Sequence, residues 1–157
     1  MRFLSFILVV SSGILVGYEN YSMLKKRIVN LGEFVLFLYE IETNLSFYLD
    51  DITTIIRNSK NKVAEKIGSY MDSEDIYTAF ENAAKLLFPL NKDREFFLRF
   101  IKDFGRSDLN SQLSNIQKYI TKTEEKYQEA EKELALKGKT GFIFSFFISF
   151  SLGLIFL

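Results

Sequence analysis

The sequence predicts an all-α protein, an antiparallel helical bundle with two terminal membrane-spanning helices that form a hairpin. Three observations carry this prediction. Residues 3–18 and 142–157 contain no charged side chain, whereas every charged residue except Arg2 lies between them. In that central portion, apolar residues recur at alternating steps of four and three, the spacing of packed helices. No competing stretch shows the alternating pattern of a β-strand.

The first terminal segment, residues 1–18, is predicted to cross the membrane. Its uncharged part covers roughly 24 Å as a helix, so flanking residues must extend it across a hydrocarbon layer of ~30 Å. Gly13 and Gly17 form a G-x-x-x-G pattern, which lets helices approach closely. A cleaved signal peptide is the alternative, because Arg2 precedes an apolar run. The chain would then be an exported helical interaction module.

The second terminal segment, residues 141–157, is predicted to be the other membrane helix. Ser145, Ser149 and Gly153 recur every four residues and therefore share one helical face. Together with Gly13 and Gly17, these small residues indicate an intramolecular helix pair or an oligomer contact, or they are the ordinary small-residue content of membrane helices.

The positive charges next to both segments predict the orientation. Lys25, Lys26 and Arg27 follow the first segment, and Lys137 and Lys139 precede the second. Cytoplasmic flanks collect Lys and Arg. We therefore expect residues 19–140 to form a cytoplasmic helical bundle domain between two transmembrane segments.

Two long helices are predicted to form the frame of that domain, each with a seam of residues at alternating steps. The first seam consists of Leu24, Ile28, Leu31, Val35, Leu38, Glu42, Leu45 and Leu49. The second consists of Leu109, Leu113, Ile116, Ile120, Thr123, Tyr127, Ala130 and Leu134. Antiparallel pairing would place Leu24 near Leu134, Glu42 level with Ile116, and Leu49 near Leu109.

Shorter helices are predicted between the long ones, over residues 50–70, 73–88 and 91–104. A polar stretch at 57–62 marks a turn within the first, and Asp72 or Ser73 is the expected N-cap of the second. Asn91 is the expected cap of the third. Gly105 is its expected C-cap, before the last long helix begins near Ser107. The aromatic stripe in this third helix is typical of a core: Phe96, Phe97, Phe100 and Phe104.

The composition removes most familiar enzyme chemistry. The chain has no Cys, His or Trp, which excludes thiol nucleophiles, disulfides, imidazole zinc sites and Ser-His relays. A net charge of zero argues against a nucleic acid held by a basic field. A carboxylate-based hydrolase remains as an alternative, but the acidic run at 124–133 is typical of a solvated helix face. We expect no enzyme activity, catalytic residue, metal or cofactor.

Glu42 is the polar exception in the first seam. A buried carboxylate without partners costs several kcal/mol. It is therefore either a satisfied contact that fixes the register or meets a partner, or a sign that the seam is exposed at this point.

Several short patterns, taken together in order, resemble one family over essentially the whole chain. They are Leu38-x-x-Ile41-Glu42-x-x-Leu45-x-Phe47, the pair Ala79-Phe80, Phe100-x-x-x-Phe104-Gly105-x-x-Asp108-x-x-x-Gln112, and Lys137 and Gly141 before the apolar tail. In this arrangement the chain is similar to the stage III sporulation protein AB family of endospore-forming bacteria. It departs from the family pattern at Asn44, Phe80 and Phe104, where the family has an acidic residue, Trp and Leu.

The resemblance implies a multi-pass protein in the mother-cell membrane around the forespore, with its central domain in the cytoplasm. Family members belong to a channel complex, and their cytoplasmic domain is similar to the inner-membrane platform protein of type II secretion and type IV pilus machines. The implied function is a non-enzymatic platform that couples a cytoplasmic AAA-type ATPase, stage III sporulation protein AA, to membrane ring components. Whether the chain also forms a homo-oligomer is left open by the resemblance.

We expect partners to dock at the bundle end farthest from the lipid, around residues 49–51 and 104–112. The candidate partner-binding residues are Phe104, Gly105, Asp108, Gln112 and Glu42. The candidate residues for packing within the membrane are Gly13, Gly17, Ser149 and Gly153.

Overall fold

A computed structural model describes residues 2–48, 51–104 and 108–155. The regular elements are α1 (Arg2–Phe47), α2 (Ile52–Asn58), α3 (Lys62–Met71), α4 (Ile76–Leu87), α5 (Asn91–Asp103), α6 (Leu109–Glu133), a π-helical turn (Leu134–Gly138) and α7 (Lys139–Ile155). No strand occurs in the described ranges. The prediction of an all-α antiparallel bundle is confirmed.

The chain divides into two compact units. The terminal unit comprises Met1–Ile28 and Gln128–Leu157, and the central unit comprises Val29–Tyr127. These divisions follow packing, whereas the expected boundaries at residues 18 and 140 concern where the chain meets lipid. Those boundaries therefore stay a prediction.

The terminal unit is an antiparallel helix pair. The rings of Phe6 and Phe150 lie 5.7 Å apart. Farther along α1, Tyr21 faces Gly138, and Arg27 bonds Glu133. In these three contacts the residue number on the partner segment decreases as the residue number on α1 increases, so the two segments are antiparallel. The last two contacts lie on either side of the level predicted for the Leu24 and Leu134 pairing.

The core of the central unit is built around the ring of Phe34, which is fully buried. Four aromatic rings lie within 4.9–6.4 Å of it, those of Phe88, Phe96, Phe97 and Phe100. Aromatic pairs at such distances add ~0.5–1.5 kcal/mol each beyond their buried area. The aromatic stripe on α5 is thus a core element, with Phe97 and Phe100 buried and Phe96 and Phe104 half-buried.

The buried face of α1 is wider than the predicted seam. Leu31, Leu38 and Leu45 are buried as expected, and Val35 and Glu42 are half-buried. The seam omitted three residues that are fully buried: Phe34, Phe37 and Ile41. The reason is that α1 also packs against helices other than α6, as the aromatic contacts of Phe34 with α5 show. Leu49 lies outside the described residues.

The packing of α1 against α6 within the central unit follows the predicted register. Gln117 donates to Glu42 at 3.0 Å, and Tyr39 donates to Glu124 at 2.9 Å. Because Glu42 was expected level with Ile116, the prediction is correct to within one residue. On α6, the seam residues Ile116, Ile120, Thr123 and Ala130 are buried.

The helix starts show where local sequence reasoning was wrong. Asp75, rather than Asp72 or Ser73, caps α4, and its carboxylate accepts from the backbone amides of Tyr77 and Thr78. The side chain of Asn91 does not cap α5, whose N-cap residue is Leu90. The last long helix begins at Leu109, and the side chain of the residue before it accepts a capping hydrogen bond. A hydroxyl three residues after Asp75 reinforces its cap, since Thr78 donates to the same carboxyl group at 2.6 Å.

Candidate functional site

A small cleft between α5 and α6, which we call the corner cleft, contains two of the candidate partner-binding residues. It has a volume of only about 10 Å³ and is lined by Phe100, Asp103, Phe104, Gln112, Asn115, Ile116 and Tyr119. The ring of Phe104 lies 5.6 Å from that of Phe100 and is half-buried. The described residues Phe100, Phe104 and Gln112 of the family-like pattern therefore line one cleft. Gly105 lies outside the described residues.

Asp108 stands next to the cleft, at the N-terminus of α6. Its carboxylate accepts from the backbone amide of Ser111 at 3.1 Å and from the Ser111 hydroxyl at 2.8 Å. These hydrogen bonds lower the pKa of Asp108 below its ordinary value, and the bond from the Ser111 hydroxyl has the larger effect. The residue is exposed. It combines a capping role with a negative charge that points into solvent.

The corner cleft also contains a polar pair that sequence reasoning missed. The hydroxyl of Tyr119 donates to Asp103 at 2.6 Å. Burial is the largest cause of the raised pKa of Tyr119, and the hydrogen bond to Asp103 raises that pKa further. The two residues are sixteen positions apart on separate helices. No local motif could have paired them, because the pairing depends on how α5 and α6 pack.

Glu42 is placed apart from Asp108, on the α1 side of α6. It is half-buried and accepts the hydrogen bond from Gln117. The structure thus provides the carboxylate with a polar partner. Whether Glu42 also contacts another protein stays a prediction.

The four candidate membrane-packing residues lie along the interface of the terminal unit. A Cβ atom on Gly13 would overlap the side chain of Ser149 and lie 2.9 Å from the backbone oxygen of Ser145. A Cβ on Gly17 would lie 3.2 Å from the Cα of Phe142, and one on Gly153 would lie 2.9 Å from the Phe6 ring. The two helices therefore approach so closely that only glycine fits at Gly13. These contacts are intramolecular.

Arg27 differs from the other basic residues next to the apolar segments. Its side chain is only 1% exposed, and it donates to Glu133 at 2.7 Å. The ammonium of Lys137 lies 3.1 Å from the other oxygen of the same carboxylate. Of the five basic residues near the apolar segments, Arg27 is therefore an internal ion-pair partner and not a surface charge. Lys25, Lys26, Lys137 and Lys139 remain exposed.

A second buried ion pair holds α5 to α6 in the central unit. Asp93 is fully buried in the first turn of α5, and Lys126 lies 3.1 Å from it. The same ammonium stands 5.1 Å from the centre of the Phe96 ring, within the range of a cation–π contact. Asp93 thus serves as an ion-pair partner in the central unit, as Glu133 does in the terminal unit. Within the described residues, no group of three or more acidic side chains is placed to hold a metal ion.

The fold and these sites define a class of protein: a helical bundle with two helices that are long and apolar enough to cross a membrane. Those helices run over Leu4–Phe47 and Leu109–Ile155. The family profile described as stage III sporulation protein AB matches residues 2–157. The chain belongs to the stage III sporulation protein AB family, and its role is related to sporulation. Searches of curated proteins and of solved structures gave no match.

Proposed function

We propose that the protein is a non-enzymatic membrane platform of the sporulation channel between mother cell and forespore. In this role it couples a cytoplasmic AAA-type ATPase, stage III sporulation protein AA, to the membrane ring components. The observation that carries the proposal is the unbroken helix α1, Arg2–Phe47. One helix supplies both an apolar segment suited to lipid and the buried centre of the bundle, so a domain that binds the ATPase is covalently continuous with the membrane anchor.

The charge pattern supports a cytoplasmic bundle in the mother-cell membrane. Arg27 is buried and does not count as a surface charge. Four exposed lysines still adjoin the apolar segments on their bundle side: Lys25, Lys26, Lys137 and Lys139. On the opposite side of the first apolar segment, the sequence has Arg2 alone. The asymmetry favours the orientation in which an ATPase of the cytoplasm reaches the bundle.

We propose that the ATPase docks at the corner cleft. Three features support this assignment. Phe104 and Gln112 line one cleft, Asp108 presents an exposed carboxylate beside it, and the family-like pattern covers all three. Half-buried aromatic and polar groups next to a charge are a common composition of partner-binding surfaces.

The test is co-purification of the ATPase with the full-length chain. Asp108→Asn combined with Gln112→Ala removes one charge and one amide at the corner, and Asn preserves the N-cap because it caps as well as Asp. The chain offers a matched control in Asp75→Asn with Asn82→Ala. Asp75 caps α4 in the same way, and Asn82 is likewise a half-buried amide in a helix.

We expect the corner variant to lower the amount of captured ATPase about tenfold, the loss typical of truncating two energetically important contacts. The control variant should capture as much as the wild type. Equal capture by both variants, or equal loss in both, would contradict the corner as the docking site. A thermal melt of each variant verifies that the fold is retained.

A further inference from the structure

The terminal unit carries an open, mainly apolar groove that the proposed function does not use. Its volume is about 430 Å³. The lining residues are Tyr18, Tyr21, Gly138, Lys139, Phe142 and Ile143. The groove lies where the charged part of the sequence gives way to the uncharged segment that begins at Phe142.

Gly138, the last residue of the π-helical turn, forms part of the lining of the groove. Gly138 is buried at the end of the turn Leu134–Gly138. A Cβ atom there would lie 2.9 Å from Leu134 Cδ1 and 3.2 Å from the Tyr21 ring. A side chain at this position would therefore be crowded by Leu134 and Tyr21. A π-helical turn inside an α-helix is frequently associated with a functional site.

The walls of the groove are apolar and accessible from outside. Ile143 is 51% exposed, and Tyr18 is 63% exposed. Tyrosine suits the boundary between lipid and water, because its ring is apolar and its hydroxyl is polar. A ligand with an apolar tail and a polar head matches this order of groups.

The charge at the groove selects the sign of that head. Lys139 is exposed, and in the part of the chain that the structure describes it has no ion-pair partner. Its neighbour Lys137 differs, because its ammonium lies 3.1 Å from a carboxylate oxygen of Glu133, a residue that it shares with Arg27. The groove therefore presents one uncompensated positive charge, which an anionic head complements.

We propose that this groove binds one anionic diacyl phospholipid, with an acyl chain along Phe142 and Ile143 and the phosphate at Lys139. The inference rests on the proposed membrane placement of the two apolar segments. A transmembrane helix of another protein is the competing occupant. The uncompensated ammonium favours the phospholipid, because an anionic head complements it and the acyl chain matches the apolar walls.

Native mass spectrometry of the full-length chain in detergent tests the proposal with phosphatidylglycerol and phosphatidylcholine of identical acyl chains. We expect tighter binding of phosphatidylglycerol. Lys139→Gln should weaken that binding about fivefold, the effect of one basic residue at an anionic lipid surface. Lys26→Gln is the matched control, because it removes a nearby exposed lysine that does not line the groove. We expect it to bind as the wild type.

Ile143→Trp provides a second variant, in which a larger ring occupies the groove. It should reduce the binding of both lipids. Equal binding of the two lipids by the wild type, or equal weakening by Lys139→Gln and Lys26→Gln, would overturn the proposal. ATPase capture should be unchanged in Lys139→Gln. If the wild type failed to capture the ATPase and still bound phosphatidylglycerol selectively, only the coupling function would be refuted.

Discussion

The carboxylate of Glu133 contacts two cations in the terminal unit, one through each oxygen. It accepts from the nearly inaccessible guanidinium of Arg27 at 2.7 Å, and it lies 3.1 Å from the ammonium of Lys137. Removing one member of a buried ion pair takes away an interaction from a charge in a poorly solvated place, which is costly. The contribution of Glu133 should therefore exceed that of any exposed acidic residue on the same helix.

We expect Glu133→Gln to lower the free energy of unfolding by about 3 kcal/mol. Glu131→Gln is the control, because Glu131 is exposed two residues earlier on α6, and we expect it to have almost no effect. Denaturant unfolding of the full chain in detergent measures both. Equal stabilities for the two variants would contradict the assignment of Arg27 to a buried pair.

Tyr119 gives the central unit a dependence on alkaline pH. Its pKa is raised by burial and by the hydrogen bond to Asp103, so the folded state favours the protonated hydroxyl. This stabilisation is fully present below the unfolded-state pKa of about 10 and is lost as the pH rises above that value. We expect the melting temperature of the wild type to fall more between about pH 9 and 11 than that of Tyr119→Phe. A parallel decline of both proteins would contradict this role.

At the residue scale, sequence reasoning located the close-packing glycines but not the buried charges. Gly13 and Ser149 stand in patterns of four-residue spacing, and such patterns identify a helical face without knowledge of the partner. Arg27, in contrast, follows two lysines that remain exposed. Successive residues on a helix point about 100° apart, and the residue that faces the partner is decided by packing. Composition alone cannot make that distinction.

The elements of the fold differ in how much local sequence determines them. Three aspartates act as N-caps, Asp51, Asp75 and Asp108, and each accepts a hydrogen bond from a hydroxyl two or three residues later. Before α4, the sequence Asp72-Ser73-Glu74-Asp75 offers several capping residues, and the one with Thr78 at the right distance is used. A search for that hydroxyl partner would have located the start of α4.

The long helices show the opposite case. The alternating steps predicted one seam on α1 correctly, together with its register against α6. They missed Phe34, Phe37 and Ile41, since a seam describes packing against one neighbour only. Helix α1 packs on more than one side, and that requires knowledge of where α4 and α5 lie.

The pairing of the two apolar helices depends on the absence of a side chain at Gly13. We expect Gly13→Ala to destabilise the full chain in detergent, because the new Cβ overlaps Ser149. Gly141→Ala is the matched control: its Cβ would meet nothing within 4 Å, so higher helix propensity should leave stability unchanged or raise it slightly. Thermal unfolding distinguishes them. A Gly13→Ala variant as stable as Gly141→Ala would show that the helices do not approach this closely.

At the scale of the whole molecule, the fold class and the family followed from the order of apolar and charged segments and from a few spaced motifs. The fold class can be predicted from the sequence because lipid and a packed bundle demand different residues. The partners of the protein cannot be predicted in the same way. The corner cleft combines residues from two helices, and which protein covers it depends on the shape and charge of that second protein.

The proposed function requires the bundle between the two apolar segments to lie in the cytoplasm, where an ATPase reaches it. The chain has no cysteine, so Lys60→Cys and Lys118→Cys each introduce a single reactive thiol at an exposed position of the central unit. The measurement is labelling by a membrane-impermeant maleimide of the chain expressed in the plasma membrane of non-sporulating cells, in intact cells and after permeabilisation, because both faces of a membrane around the forespore are shielded from the medium. We expect both thiols to be labelled only after permeabilisation. Labelling of either one in intact cells would contradict the orientation and, with it, the coupling to a cytoplasmic ATPase.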